Sequence, residues 1–169
     1  MTARCPTAVL FVCTGNICRS PTAEAVFRTL VARAGLAQSI AVDSAGTHDY
    51  QIGEPADPRA VVHARRRGYE LPERRARQVE TEDFGRFEWI LAMDMANLTE
   101  LEALRPHDYR GHLGLFLDFA PDSGMLEIPD PYHGTPRDFE RVLDLAEQGA
   151  AALLEVVRAR LAAAARRPG

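Results

Sequence analysis

The sequence predicts an α/β fold, a three-layer α/β/α sandwich around a four-stranded parallel sheet. Two apolar runs of strand length, "AVLFVC" (8–13) and "EWILAM" (88–93), show no polar alternation, which suits strands covered on both faces. Strand-sized runs alternate with segments of helical periodicity along the chain, the pattern of strand–helix–strand units. At 169 residues, 46% hydrophobic and 26% charged, the composition fits one domain spanning 1–169. A core of that size needs neither disulfide nor structural metal.

The elements follow in order. After the first strand comes a tight polar turn, then a helix for which Ser20 suits the N-cap and Pro21 the first helical position. Ala23, Val26, Phe27, Leu30, Val31 and Ala34 then recur at helical spacing until Gly35. A second strand falls near 40–44, and a polar loop runs through Pro58 to a helix over 59–67 that Gly68 stops. The run at 88–93 is the third strand, 96–104 a helix, "HLGLF" (112–116) the fourth strand, and 138–165 a long closing helix. Residues 118–137 carry Pro121, Gly124, Pro129, Pro131, Gly134 and Pro136, which predicts a long loop without regular structure, a length often reserved for function. Ligands of open α/β sheets sit beyond the carboxyl ends of the strands, so the turn after Cys13 and this late loop are predicted to face one pocket. No internal repeat or linker interrupts the series.

Charge and cysteine usage narrow the function classes. The net charge of -4 gives no electrostatic basis for binding nucleic acid. Basic residues cluster only locally, at Arg65, Arg66 and Arg67 and at Arg74, Arg75 and Arg77. Solvated surface is the plain reading of these clusters, and attraction of an anionic protein substrate the alternative. Cys5, Cys13 and Cys18 all lie near the amino terminus, too close together to cross-link the fold, and fit a reducing cytoplasm. No charged-then-apolar leader opens the chain and no apolar run approaches the ~18 residues of a membrane span, so a cytoplasmic location without membrane insertion is expected.

The chemistry concentrates in "VLFVCTGNICRSP" (9–21). A phosphate set in the turn would meet backbone N–H groups of Thr14, Gly15, Asn16, Ile17, Cys18, Arg19 and Ser20, assisted by the dipole of the following helix. Gly15 lets the backbone curl inward. Arg19 offers a planar fork for two phosphate oxygens and a charge that favours a neighbouring thiolate, and Cys13 would sit beneath the phosphorus. Expelling an oxygen leaving group calls for a proton donor, and composition alone leaves Asp57, Asp118, Asp122, Asp130 and Asp138 open. The Cys13–Cys18 spacing finds no ligand-like partner among His48, His63, His107, His112 and His133, so neither metal nor cofactor is expected.

A Cys-x5-Arg-Ser turn alone is a weak signal, but it is accompanied by "VDSAGTHDYQIGEPAD" (42–57), "ARQVETEDF" (76–84), "ILAMDMANL" (90–98) and "DPYHG" (130–134). Together these resemble the low-molecular-weight protein tyrosine phosphatases over nearly the whole chain. The resemblance implies a Rossmann-like sheet and hydrolysis of phosphotyrosine in two steps. Cys13 would be the nucleophile, Arg19 the clamp on the phosphoryl oxygens, and Asp130 the general acid that later activates water. Asn16, Ser20 and Ser44 would brace the loop, with Ser20 also stabilising the Cys13 thiolate. Tyr50 and Tyr132 would wall the substrate ring, and Cys18 would protect the nucleophile through a reversible disulfide. Tyrosine-phosphorylated proteins are the implied partners, a bacterial tyrosine kinase among them. Plainer readings accompany three of these: Ser20 as a helix cap, Asn16 as a left-handed loop residue, and the tyrosines as exposed loop side chains.

The chain also departs from the family pattern. His133 stands where many members carry a second tyrosine, Arg74 where several carry a histidine of the loop-bracing network, and Thr14 where relatives vary. Two other functions fit parts of the pattern. A thiol-dependent arsenate reductase would need a cysteine pair in a later segment, and none follows Cys18. A phosphotyrosine-binding module would have no use for Cys13 and Asp130 together.

Overall fold

The computed structural model describes residues 5–167. Four strands, β1 (Thr7–Cys13), β2 (Ile40–Gly46), β3 (Trp89–Ala92) and β4 (His112–Leu115), form one sheet in the order β2-β1-β3-β4. Every pairing is parallel, with Phe11 opposite Ser44 on one side and Leu91 on the other. Five helices complete it: α1 (Arg19–Arg33), α2 (Pro58–Arg66), α3 (Asp83–Arg86), α4 (Met95–Leu104) and α5 (Pro136–Ala165).

The unalternating strands have a direct cause. Val9, Phe11, Trp89 and Leu91 face a core shared with α1, α2 and α5, while Leu10, Val12, Ile90 and Ala92 face a second core with Phe84, Leu101 and Tyr109. Both faces are covered, so both residue parities are apolar. Phe11, without solvent exposure, meets Phe27 and Phe116 edge-on at ring separations of 5.6 and 5.0 Å, a burial that contributes about 2–3 kcal/mol.

The element boundaries differ from the sequence reading where side chains are recruited elsewhere. Helix α1 starts at Arg19 with Cys18 in the cap position, so Ser20 is not the N-cap; its hydroxyl is turned into the site described below. Helix α2 starts at Pro58, capped by Asp57 accepting from the Arg59 N–H. Helix α5 begins two residues early because Thr135 and Asp138 form a reciprocal capping box. Helix α3 is too short to show periodicity and is absent from the sequence reading. Phe116 leaves the fourth strand for a 3-10 turn (Phe116–Phe119), and a second (Pro121–Ser123) follows, so the late loop is not wholly irregular.

The strand order reverses between β1 and β3: the chain leaves β1 for β2 on one side and then returns to β3 on the other. A crevice opens beyond the carboxyl ends at such a reversal. Cys13 ends β1 there, and Asp94 follows β3.

Candidate active site

Residues 13–20 wrap around the Cys13 sulfur. The Asn16 N–H donates to Cys13 Sγ at 3.2 Å, and Ser20 Oγ lies 3.0 Å from it. The curl depends on two backbone features. Asn16 adopts a left-handed φ of 59°, and Gly46, at the end of β2, backs directly onto the turn. A Cβ on Gly46 would stand 2.6 Å from the Thr14 carbonyl oxygen. The turn opens into α1, whose free N–H groups and positive dipole end face the same space.

Arg19 is 2% exposed and has three hydrogen-bond partners. Its Nη1 donates to Asp94 Oδ2 at 2.6 Å and to the Ile128 carbonyl at 2.9 Å, and its Nη2 donates to Thr14 Oγ1 at 3.3 Å. Asp130 Oδ2 lies 3.6 Å from Nη2, while Asp130 itself is 51% exposed. Burial works against the guanidinium charge, and the Cys13 sulfur, Asp94 and Asp130 more than offset it, so the Arg19 pKa stands above its usual value. Asp94 also caps α4, accepting from the Asn97 N–H at 2.8 Å.

A polar network braces the turn from behind. The Asn16 amide donates to Ser20 Oγ and Ser44 Oγ, both at 2.9 Å, and its oxygen accepts the Arg77 N–H at 3.0 Å. Ser44 donates to Glu24 Oε1 at 2.7 Å. Glu24 is completely buried, and Arg74 closes on the same oxygen while also reaching Asp43 at 2.5 Å. Burial pushes the Glu24 pKa up, opposed by Ser44 and Arg74. Arg77 joins Asp43 to the buried Asp83. Arg74, the departure noted in the sequence, thus holds the outer end of the brace. In the basic clusters Arg65 pairs with Glu70, Arg67 with Glu140, Asp144 and Glu147, and Arg75 donates to the Gly53 carbonyl.

The two aromatic candidates sit on loops flanking the turn. Tyr50, 76% exposed, stacks on His48, whose N–H donates to the Thr14 carbonyl. Tyr132, 40% exposed, follows Asp130 in the late loop, its N–H donating to Asp130 Oδ1 at 3.1 Å. Arg59 ties that loop to α2 by donating to the Tyr132 carbonyl, with its guanidinium 5.5 Å from the Tyr132 ring centroid. His133 meets Tyr132 edge-on. Cys18 is buried beside the turn as a free thiol, its pKa pushed well up by burial and by the nearby charges of Asp57, Cys13 and Asp130. Of the other acid candidates, Asp57 is taken by its cap and by Arg59, and Asp138 by the α5 capping box. Asp94, Asn97 and Glu24 were not singled out as site residues in the sequence, and Arg77 stood there only as part of a basic cluster. Among the described residues, no three His, Cys, Asp or Glu side chains converge as a metal would require, and no helix is long and apolar enough to cross a membrane.

A cysteine at the first strand's end whose sulfur accepts a backbone N–H of the following turn, beside a buried arginine and a helix N-terminus, defines a cysteine-centred oxyanion-loop protein of the doubly wound α/β class. The chain belongs to the family described as low molecular weight phosphotyrosine protein phosphatase, which residues 8–163 match. The low molecular weight protein-tyrosine-phosphatase YfkJ of Bacillus subtilis is 40% identical over 151 residues, 89% of this chain and 96% of that one. The human low molecular weight phosphotyrosine protein phosphatase is 41% identical over 150 residues, covering 88% and 94% of the two chains. Among solved structures, a protein tyrosine phosphatase from Entamoeba histolytica with Hepes in its active site superposes with a TM-score of 0.86 at 37% identity, covering 90% of this chain and 97% of that one. The protein is accordingly a hydrolase of the protein-tyrosine-phosphatase class.

Proposed function

We propose that this phosphatase works through a phosphocysteine, with Cys13 as nucleophile and Asp130 as general acid and base. Cys13 Sγ attacks the phosphorus in line; the S–P bond forms as the P–O bond to the tyrosine ring breaks, and Asp130 gives its proton to the departing phenolate. Water then attacks the phosphocysteine, Asp130 takes a water proton, and the thiolate leaves with Ser20 Oγ donating to it. Arg19 and the N–H groups of residues 14–20 hold the equatorial oxygens, where phosphoryl transfer spreads its charge. These donors supply the neutralisation a metal would otherwise give, so turnover is expected to survive chelation.

One observation carries the reading. The turn that carries Cys13 Sγ and the Arg19 fork meets the Asp130 carboxylate of a distant segment, with the Ser20 hydroxyl and the Asn16 N–H at 3.0 and 3.2 Å from the sulfur. Exposed Tyr50 and Tyr132 suit a flat phosphoaryl group, and a relative at 29% identity, Wzb of Vibrio vulnificus, is known in complex with benzylphosphonate. The substrates are proteins phosphorylated on tyrosine in the cytoplasm, a bacterial tyrosine kinase among them. Cys18, buried beside the nucleophile, would condense with an oxidised Cys13 sulfenic acid to a disulfide with loss of water.

The test is phosphate release from a phosphotyrosine peptide in chelator-containing buffer by the native chain, Cys13→Ser and Asp130→Ala. Turnover lost in the first variant and cut by about a hundredfold or more in the second, with a trapped phosphocysteine detected by mass spectrometry, supports the reading. Peptide binding without turnover by the native chain overturns it.

A further inference from the structure

Thr14, the residue after the nucleophile, has a hydroxyl with two partners. Thr14 Oγ1 accepts from Arg19 Nη2 at 3.3 Å and from Asn97 Nδ2 at 3.0 Å. Asn97 is 1% exposed, and its side-chain oxygen is buried without a hydrogen-bond partner. An amide left with an orphaned oxygen is held there for what its nitrogen does, since leaving that oxygen unpaired is costly. The nitrogen's partner is Thr14.

A count of donors gives this contact its meaning. A guanidinium has five N–H groups. Asp94 and the Ile128 carbonyl take the two on Nη1, and Thr14 takes one on Nη2. The Nε hydrogen and a second Nη2 hydrogen remain, and Nε and Nη2 form one edge of the fork, the edge that can hold two phosphate oxygens side by side. Both ends of the guanidinium are set by the first turn of α4: Asp94 grips Nη1 directly, and Asn97, whose N–H is bonded to Asp94 Oδ1, grips Nη2 through Thr14.

We propose that Thr14 and Asn97 are positioning residues that fix the rotation of Arg19, so that its Nε–Nη2 edge faces the incoming phosphoryl group. This rests on the reading of the Cys13 turn as the phosphate site, and it goes beyond that reading by giving the Thr14 side chain a task separate from its backbone N–H. Serine at this position keeps the device, and an aliphatic side chain abolishes it.

The experiment compares the native chain with Thr14→Val, Thr14→Ser and Asn97→Ala, alone and with Arg19→Lys. Inorganic phosphate binding is measured by calorimetry, which reads the anion site whether or not the protein turns over. Thr14→Val, which keeps the shape and loses the acceptor, is expected to weaken phosphate binding about tenfold, the worth of one hydrogen bond to a charged group. Thr14→Ser recovers most of that loss, and Asn97→Ala follows Thr14→Val. Alkylation of Cys13 by neutral iodoacetamide stays within about twofold, because the sulfur's own donors are untouched. In the Arg19→Lys background Thr14→Val adds less than about twofold, since the group it positions is gone. Phosphate binding within twofold of native in Thr14→Val, or an equal loss with and without Arg19, overturns the proposal. Failure of turnover in the native chain would instead refute the phosphocysteine mechanism and leave this calorimetric comparison standing.

Discussion

Replacing Asn16 separates the two ways in which that residue holds the turn. Its side chain satisfies Ser20 Oγ, Ser44 Oγ and the Arg77 N–H, all within 3.0 Å, the first two buried and the third partly buried. Each lost partner costs about 1 kcal/mol, so the side chain contributes about 3 kcal/mol. Asn16→Ala also places a Cβ residue without a local polar side chain at φ 59°, which adds about 1.5 kcal/mol. Asn16→Gly loses the same partners but not the backbone conformation, and after its greater unfolded-state entropy it should be about 0.5–1 kcal/mol more stable than Asn16→Ala. Urea unfolding of the three proteins measures this directly, and a loss of about 4.5 kcal/mol in the alanine variant corresponds to a melting-temperature drop of roughly 10–15 °C at this chain length. An alanine variant that loses less than about 1 kcal/mol refutes the brace, and a glycine variant no more stable than alanine refutes the backbone argument.

Two further perturbations test the same site from its flanks. Gly46→Ala drives a Cβ against the Thr14 carbonyl at 2.6 Å, so kcat/KM should fall by about tenfold or more at a stability cost of about 1–3 kcal/mol; activity within twofold of native would show that the turn yields freely. Arg74→Ala removes one of the two cations, Arg28 being the other, that oppose the upward push of burial on the Glu24 pKa, so that pKa should rise further. A carboxyl whose folded pKa exceeds its unfolded value binds the extra proton in the folded state, so stability falls as pH rises from the unfolded pKa of about 4.3 through the folded one. Urea unfolding across that interval should show a steeper fall in the variant, and parallel curves would remove Arg74 from the network.

What the sequence made legible follows from where periodicity and local spacing carry information. Strands β1 and β3 were readable because two-sided burial leaves no polar position in 8–13 or 89–93, and Cys13, Asn16, Arg19 and Ser20 were readable because they lie within one turn. Asp130 was only one of several aspartates until the family resemblance singled it out. Asp94 and Asn97 escaped because both look like an ordinary helix start; their position just past β3, at the reversal of strand order, was the available signal. Glu24 left a fainter trace. It falls on the stripe of Ser20, Phe27 and Val31 at helical spacing, and a carboxylate on a buried stripe demands partners that only the folded chain brings, here Ser44 and Arg74. Ser20 admitted two readings in the sequence, helix cap and partner of the Cys13 sulfur; it lies inside α1, one residue past the helix start, and its hydroxyl meets the sulfur and the Asn16 amide.

The unequal grip on Arg19 bears on how a phosphoryl group could enter an occupied site. Asp94 holds the guanidinium at 2.6 Å from a mostly enclosed position, while Asp130 stands 3.6 Å away and half exposed. An arriving phosphate dianion competes for the cation with both carboxylates, and it displaces the partner whose contact is longer and better screened. That partner is Asp130. On the proposed mechanism, the carboxyl so released from Arg19 is the one that turns to the leaving oxygen of the substrate. Asp94 stays in place throughout, because releasing it would strand a buried cation and uncap α4 at once.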